Sequence, residues 1–452
     1  MYEIRGIPVP EDVIAVIRRL ESSGYEAWAV GGCVRDAMLG HAPKDWDLCT
    51  SASPAQMQAV FAGEHVVETG LQHGTLTVVL HHVPYEITAY RIDGEYTDHR
   101  HPDRVLFVKD ILQDLSRRDL TINAMAWHPE RGLEDPFGGE KDLDRGIIRC
   151  VGHARHRFDE DALRILRALR FSAVLGFPLD AETEEGVRTL AGTLDQVAGE
   201  RIYTELGKLL CGRNAASVLS LYPDVLSAVF PDLAREVHCS WTGGGSLYDY
   251  SVRCVKHALA DRKIRLALLF HALGFTDASV SEAVSVQRSA EMAERMLARL
   301  HPERELQTVV HSLILNQLLM LSADRIQLIH QLHQLGEKNL RHLIDFQEAR
   351  WLTERDGEAE QVRKETDAIR KALDGLIADH VCFSLRDLAI KGRDLMNIGI
   401  PRGPEIGIVL DRLLEEVMNG TASNEKEALM NLAWTKYREY ELCGTEPFEN
   451  SH

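Results

Sequence analysis

The sequence lacks several patterns that would assign it to common classes of protein. Its eight cysteines are spread along 452 residues without a Cys-x-x-Cys pair, which argues against a zinc ribbon or a redox-active dithiol. No apolar run is long enough to cross a bilayer, and the N-terminal residues do not form a charged-then-apolar leader. These absences predict a cytoplasmic protein with reduced thiols and no membrane partner.

Acidic residues outnumber basic ones, with 69 Asp and Glu against 51 Lys and Arg. The formal net charge of −18 argues against a general polyanion-binding surface, because backbone phosphates repel an acidic protein. If the protein handles nucleic acid, its basic residues must be gathered on one face. The length predicts about three domains.

The most informative stretch lies between residues 31 and 48 and reads GGCVRDAMLGHAPKDWDL. A short apolar run over residues 27–30 stops at the paired glycines, which predicts a buried strand ending in a tight turn. Glycine lets backbone N–H groups approach an anion closely. Asp45 and Asp47 alternate with apolar residues, so a strand would place both carboxylates on one face. Such a pair can hold a divalent metal beside a phosphate.

Taken in this order, the stretch resembles the class II tRNA nucleotidyltransferase and poly(A) polymerase family, whose head carries GG-x-VRD followed by D-x-D. The matching residues are Gly31, Gly32, Val34, Arg35, Asp36, Asp45 and Asp47. The resemblance implies an α+β fold, in which a mixed α/β nucleotidyltransferase head with a small β-sheet precedes an all-α neck, body and tail.

Four domains are expected from this resemblance. They are a catalytic head over residues 1–150, a helical neck with the base-recognition motif over 151–215, a helical RNA-binding body over 216–350 and a helical tRNA-binding tail over 351–452. In the resembling enzymes the tail grips the tRNA elbow and reads its shape.

Local patterns in the head predict a helix over residues 11–22 and strands over 66–79 and 83–90. Glu86 lies in EITAYR, which matches a family strand that carries a third catalytic carboxylate. On spacing alone, Glu86 reads as an exposed strand glutamate.

Two further head motifs match the family. The polar segment DGEYTDHRHPD, over residues 93–103, reads as a mobile loop and resembles a loop of adenosine-adding members, although His101 replaces the second arginine. Downstream, SRRDLTINA matches RRD-x-x-x-NA, which implies that Arg118 and Asn123 contact the triphosphate and sugar of a nucleotide. As an isolated motif, Arg-Arg-Asp reads as a surface ion pair.

The second informative segment is FDEDALRILRALRF over residues 158–171, which predicts one continuous helix. A spacing of three places four side chains on one helical face: Asp161, Arg164, Arg167 and Arg170. A surface helix with ion pairs fits the pattern equally well. The resemblance favours base recognition, because the family motif E-D-x-x-R matches here. The Asp161 carboxylate would accept a hydrogen bond from the amino group that cytosine and adenine share, while Arg164 donates one to the neighbouring ring nitrogen. Uracil and guanine present a carbonyl oxygen and a ring N–H at these positions, so donor and acceptor are reversed.

A negative feature lies in the body. Some relatives carry an HD phosphohydrolase domain, but LFHALG over residues 269–274 has Ala272 where the metal-binding aspartate would be. His271 is therefore predicted to be a core histidine.

The resemblance implies template-independent addition of CCA to the 3′ end of tRNA from CTP and ATP, with release of pyrophosphate. Asp45 and Asp47 would bind two Mg²⁺ ions, one lowering the pKa of the tRNA 3′-hydroxyl and the other holding the triphosphate. Three alternatives stay open: an A-adding or CC-adding specialist, a bacterial poly(A) polymerase, and a non-catalytic RNA-binding protein.

Overall fold

A computed structural model describes residues 2–68, 70–71, 74–93 and 105–443. A β-sheet region at the N-terminal end is followed by helices, as the α+β prediction requires. The segment 93–103 that the sequence predicts to be a loop lies almost entirely outside the described residues.

The first part contains the strands and the shorter helices. Its elements in chain order are β1 Glu3–Ile4, β2 Ile7–Pro8, α1 Glu11–Ser22, β3 Ala27–Val30, α2 Gly32–Met38, β4 Asp47–Thr50, α3 Pro54–Val60, β5 His65–Val67, β6 Thr75–Leu80, β7 Val83–Ala89, β8 Arg91–Asp93, β9 Val105–Phe107, α4 Ile111–Ser116, β10 Ala126–His128, β11 Gly132–Glu134 and α5 Gly139–Arg145.

Seven of these strands form the main sheet, in the order β11-β10-β3-β4-β7-β6-β5. Strands β4 and β7 are parallel and pair Asp47 with Glu86, whereas the other neighbours in this sheet are antiparallel. Strand β4 therefore lies at the centre of the sheet, and its first residue is one of the two predicted metal-binding aspartates.

The rest of the described chain is helical. Its helices are α6 Ala154–Glu160, α7 Leu163–Leu175, α8 Ala181–Thr189, α9 Gly199–Leu210, α10 Ala215–Leu221, α11 Pro223–Val229, α12 Leu233–His238, α13 Leu247–His257, α14 Arg262–Phe270, α15 Glu282–Ala298, α16 Arg304–Leu315, α17 Arg325–Glu354, α18 Ala359–Ala378, α19 Gly392–Asn397, α20 Glu405–Met418 and α21 Lys426–Cys443.

Two large apolar cores hold these elements together. The first runs from Ile4 to Ala349, so the sheet and the helices up to α17 share one buried interior. The second begins at Leu328 and ends at Tyr437. Helix α17 contributes to both cores and is interrupted at Gly336, whose φ of 74° is left-handed. The domain boundaries predicted from the sequence stay predictions.

The predicted helix over residues 11–22 is confirmed as α1. Its buried side chains are Val13, Ile14, Val16, Ile17 and Leu20, which form the apolar stripe that packs on the sheet. Among the described residues, no helix combines the length and the apolar character needed to span a bilayer.

His271 is a core residue, as predicted. It is 1% exposed, its Nδ1 lies 2.7 Å from the carbonyl oxygen of Leu268, and burial lowers its pKa to about 3. The imidazole is therefore neutral at physiological pH, with Nδ1 donating to the carbonyl.

One buried carboxyl group lacks a compensating partner among the described residues. Glu236 of α12 is fully buried, and neither carboxyl oxygen has a hydrogen-bond partner within the described part of the chain. Burial raises the pKa of Glu236 well above its usual value, and the nearby Ser251 offsets only part of this effect. The side chain is thus held as the neutral acid.

This burial predicts how stability depends on pH. Because the folded pKa of Glu236 lies above the unfolded one, its contribution to stability is complete below the unfolded pKa and is lost as the pH rises towards the folded pKa. Within that window, each unit of increasing pH lowers the free energy of unfolding by about 1.4 kcal/mol. Glu236→Gln is expected to raise the free energy of unfolding at pH 8 relative to wild type. Urea unfolding of both proteins at pH 5 and pH 8 measures the difference in their free energies of unfolding. The same difference at both pH values would contradict the prediction.

Candidate active site

The paired glycines end β3 and begin α2, as the sequence predicts. Gly31 has a φ of 80° and a ψ of −124°, which side-chain-bearing residues rarely adopt, and its N–H donates to the Met125 carbonyl at 3.0 Å. A Cβ placed on Gly31 would lie 2.8 Å from Nη1 of Arg118. Glycine is required here both by the turn and by the close approach of that guanidinium.

Arg35 points from α2 towards the motif around residue 123. Its Nη1 donates to Oδ1 of Asn123 at 2.6 Å, and its Nε and Nη2 donate to Oδ1 of Asp36 at 2.9 and 2.7 Å. The guanidinium carbon also lies 4.9 Å from the centre of the Phe171 ring. These contacts orient Arg35, whose side chain is only 12% exposed.

The predicted alternation of the two aspartates is present, although the strand begins later than expected. Asp45 lies in a bend and only Asp47 belongs to β4, because the extended pairing with β3 starts beyond Trp46. Asp45 and Asp47 are exposed whereas Trp46 and Leu48 are buried. The two carboxylates thus point to the same side.

The electrostatics around Asp47 show that carboxylates crowd this point. Asp47 is exposed as a whole residue, but the atoms packed around its carboxylate remove part of its hydration, and this desolvation raises the pKa of Asp47. The negative charges of Glu86 and Asp45 raise it further, and Arg118 opposes them. A bound cation would relieve this repulsion. Within the described residues no group of three or more His, Cys, Asp or Glu side chains is arranged to hold a metal. The residues present therefore fit a metal that is held by the carboxylates of Asp45 and Asp47 and whose remaining ligands are oxygens of the substrate.

Arg118 is positioned by a buried acid. Its Nη2 lies 3.3 Å from Asp114, which is 1% exposed and also accepts from Arg117 at 2.8 Å. Burial opposes ionisation of Asp114, but the charges of Arg118 and Arg117 outweigh it and lower the pKa of that carboxyl. Asp114 therefore stays ionised and holds the guanidinium in place.

The continuous helix predicted over residues 158–171 is wrong. Helix α6 ends at Glu160 and α7 begins at Leu163, with an extended φ of −147° and ψ of 103° at Asp161 between them. The break has a local cause, since the Asp161 carboxylate accepts from the Leu163 N–H at 3.1 Å and so competes with helical pairing. Asp161 is thus presented from a loop and not from a helical face.

The two predicted base-reading side chains each have another partner. Asp161 accepts from Nη2 of Arg201 at 2.7 Å. Arg164, which is 8% exposed, donates to Glu160 at 2.5 Å and to the Arg117 carbonyl at 3.0 Å. Both side chains are therefore fixed before any ligand arrives.

Two more arginines of α7 are anchored by buried acids. Arg167 donates to Asp119 at 2.6 Å, and Arg170 lies 3.2 Å from Glu205. Burial opposes ionisation of Asp119, but the charge of Arg167 dominates and lowers the pKa of that carboxyl to about 2. Burial also lowers the pKa of Arg170, against the attraction of Glu205.

The arginines described above line one cleft of about 1080 Å³, together with Asp45, Asp47, Asp119 and Asp161. Nine of its lining side chains are cationic and four are acidic, although the whole chain carries a net negative charge. The predicted site residues that line it are Gly31, Gly32, Arg35, Asp45, Asp47, Arg118, Asn123, Asp161, Arg164, Arg167 and Arg170. Glu86 does not line the cleft and lies beside Asp47 on the next strand.

Sequence reasoning missed some residues of the cleft. Arg201 and Lys208 of α9 line it, as do Arg91 and Arg117. Arg201 lies in the segment ERIYTELGK over residues 200–208, which continues the helical pattern of the sequence, but only the packing of α7 against α9 shows that Arg201 reaches Asp161.

Comparison with known proteins agrees with this geometry. Residues 27–149 match the poly A polymerase head domain and residues 281–433 match tRNA nucleotidyltransferase domain 2. The CCA-adding enzyme of Geobacillus thermodenitrificans is 33% identical over 433 residues, which cover 95% of this chain and 98% of that enzyme. The chain belongs to the CCA-adding enzyme family.

Solved structures of CCA-adding enzymes share the architecture. The CCA-adding enzyme of Bacillus stearothermophilus in complex with CTP is 29% identical, with a TM-score of 0.72 and coverage of 96% of this chain and 98% of that chain. The Thermotoga maritima CCA-adding enzyme complexed with tRNA_CCA covers 96% of this chain and 97% of its own, with a TM-score of 0.60. At 20% identity the latter shows the fold alone. This family member is a nucleotidyltransferase whose α+β fold is that of the family.

The close contact at Gly31 gives a test of the cleft. Gly31→Ala is expected to displace Arg118 and to weaken nucleoside triphosphate binding about tenfold, besides costing about 1–3 kcal/mol of stability through backbone strain. Equilibrium binding of CTP and thermal unfolding measure the two effects separately.

Gly24→Ala is the matched control, because Gly24 has a φ of 84° and open space around its Cβ position. It should lose stability without losing CTP affinity. Equal loss of affinity in both variants would mean that strain, and not the position of Arg118, weakens binding.

Proposed function

We propose that this chain adds CCA to the 3′ end of tRNA without a nucleic-acid template, using CTP and ATP and releasing pyrophosphate. The observation that carries the proposal is the single cleft that contains both the Asp45/Asp47 pair and the Asp161/Arg164 pair. Its volume of about 1080 Å³ is slightly above the roughly 300–1,000 Å³ of typical small-molecule sites, and its excess of cationic side chains suits a triphosphate. One nucleotide can therefore touch both pairs.

The proposed binding roles follow from the donors in the cleft. Arg35 and Arg118 present guanidinium groups to the phosphate oxygens, beside the backbone of Gly31 and Gly32, and Asn123 lies next to Arg35 for contact with the sugar. Arg167 and Arg170 extend the same positive lining along α7. Because each guanidinium is already fixed by an acid or an amide, little ordering is needed when the triphosphate binds.

Asp161 and Arg164 are proposed to select the base. The carboxylate retains lone pairs after accepting from Leu163 and Arg201, so it can accept from the amino group of cytosine or adenine. Uracil and guanine would place a carbonyl oxygen against it, which leaves polar groups unpaired at about 1–3 kcal/mol each. Selection then needs no template.

Nucleotidyltransferases generally depend on a divalent metal, and for this chain we propose Mg²⁺ held by Asp45 and Asp47, with Glu86 as a neighbouring third carboxylate. When bound, the metal would polarise the α-phosphate and lower the pKa of the 3′-hydroxyl. In the reaction the 3′-oxygen forms a bond to the α-phosphorus, and the bond to the bridging oxygen breaks. The electron pair leaves with pyrophosphate and the hydroxyl proton passes to solvent.

The remaining assignments belong to the same proposal. Residues 1–150 form the catalytic head, 151–215 the neck, 216–350 an RNA-binding body and 351–452 a tail that contacts the tRNA elbow. We place the protein in the cytoplasm, a compartment that suits the free thiols of the seven cysteines whose side chains the structure describes.

The products formed on defined acceptors test this function. With tRNA ending at the discriminator base, in C or in CC, we expect completion to CCA from CTP and ATP and no incorporation of UTP or GTP. Denaturing gels of end-labelled tRNA measure the products. Growth past the third nucleotide would indicate a poly(A) polymerase, and a stop at CC or a requirement for a CC end would indicate a specialist.

The carboxylate pair gives a second test. Asp45→Ala and Asp47→Ala are each expected to reduce incorporation at least about a hundredfold while CTP binding is largely kept, because the metal acts on the transition state. Single-turnover incorporation and equilibrium dialysis measure the two quantities. Asp195→Ala, at an exposed position outside the cleft, is the control. Full activity in either cleft variant would refute the metal assignment.

A further inference from the structure

A second cavity lies apart from the nucleotide cleft and is lined from helices α13, α15 and α17 and from the end of α14. It has a volume of about 360 Å³, which falls within the roughly 300–1,000 Å³ of typical small-molecule sites. None of the described residues that line it also lines the nucleotide cleft. The proposed function therefore makes no use of this cavity.

The buried side chain of His271 brings an unsatisfied hydrogen-bond acceptor to this cavity. Its neutral ring donates from Nδ1 to the Leu268 carbonyl oxygen, which leaves the lone pair on Nε2. Among the described residues, no group bonds to Nε2. Because His271 lines the cavity and Leu268 does not, Nε2 is on the side of the ring that the cavity reaches. A buried acceptor without a partner destabilises the folded protein, so a ligand that donates to Nε2 would remove that penalty.

The main donors of the cavity are already engaged. Arg350 is the one cationic side chain among the described residues that line it, and its guanidinium donates to the Gln317 carbonyl oxygen at 2.6 Å and to Glu354 at 3.0 Å. It also donates to the Tyr250 hydroxyl at 3.2 Å, which in turn donates to Glu354. Two carboxylates, Glu282 and Glu354, line the cavity beside this one guanidinium. The lining therefore favours a ligand that donates hydrogen bonds over an anion.

Apolar and aromatic side chains form the rest of the cavity wall. The rings of Trp241 and Tyr250 stack with their centres 4.5 Å apart, and Leu247 and Phe275 also line the cavity. A buried water molecule needs about two to four polar partners, whereas an apolar frame gains from contact with these side chains. Aromatic rings also attract cationic groups. A ligand that suits the whole lining combines an apolar frame with N–H donors.

We propose that this cavity binds a small organic amine, whose N–H group donates to Nε2 of His271 while its apolar frame packs against Trp241 and Phe275. The carboxylates of Glu282 and Glu354 would balance the positive charge of the amine. The inference goes beyond the proposed function and does not depend on it, because the cavity and the nucleotide cleft share no described residue.

Two probes that share a phenyl ring but carry opposite charges, benzylamine and benzoate, test the ligand class. The full wild-type chain is expected to bind benzylamine at least about tenfold more tightly than benzoate at pH 7. Isothermal titration calorimetry without RNA or nucleotide measures both affinities, so the result does not depend on whether the chain adds nucleotides. Equal affinities, or tighter binding of benzoate, would contradict the proposal.

Substitutions in the lining test the position of the amine. His271→Phe keeps a ring and removes Nε2, so it should weaken benzylamine binding about tenfold. Glu282→Gln changes an exposed side chain and should weaken binding about threefold, which provides a second test if the His271 variant does not fold. His342→Phe is the matched control and should bind as wild type does. His342 lies on α17 outside the cavity and also has a ring nitrogen without a partner among the described residues. Thermal unfolding checks that each variant is folded.

A crystal structure of the full chain soaked with benzylamine locates the probe. We expect its nitrogen within hydrogen-bond distance of Nε2 of His271. The proposal is overturned if the soaked crystal holds only water at Nε2. It is also overturned if His271→Phe and Glu282→Gln, both folded, bind benzylamine as tightly as wild type, or if His342→Phe weakens binding as much as His271→Phe does.

Discussion

Repulsion between like charges is the constraint on which this site depends. Nine cationic side chains line one cleft, and two unit charges 4 Å apart repel by about 4 kcal/mol at an effective dielectric constant of 20. Three almost fully buried acids offset the repulsion, namely Asp114, Asp119 and Glu205. Asp114 and Glu205 lie outside the cleft lining and Asp119 is part of it, and each holds one or two of the arginines, so the guanidinium groups face the cleft with their positions already set.

The same contacts join the head to the helices that follow it. Asp119 follows α4 in the head and binds Arg167 of α7, while Arg35 of the head lies over the ring of Phe171 on α7. Arg164 of α7 donates to the carbonyl of Arg117 in the head. The cleft is therefore not a property of either unit alone, because the pairing that forms it is also the pairing that fixes α7 against the head. The continuous apolar core beneath it is consistent with this coupling.

The sequence predicted the parts of the site whose geometry is local. The turn at Gly31, the alternation of Asp45 and Asp47, and the stripe of α1 each follow from short-range rules of strand, turn and helix. The prediction failed at Asp161, where helical spacing indicated one continuous helix. There a side chain that accepts from the Leu163 N–H outcompetes the regular backbone pairing, and a period of three cannot reveal this. Arg201 was missed for a different reason, since its contact with Asp161 spans 40 residues and depends on how α9 packs.

The break at Asp161 bears on how one cleft can accept two bases of different size. On a helical face the carboxylate would move with the whole of α7, but in the break it is tied to the start of α7 through Leu163 and to α9 through Arg201. Arg164 is tied instead to α6 through Glu160 and to the head through Arg117. The two side chains proposed to read the base are thus held by several elements, so their separation is set by the packing of α6, α7 and α9 and not by one helix. Cytosine and adenine present the same order of donor and acceptor, so under the proposed function one pair of side chains held in this way can read both bases.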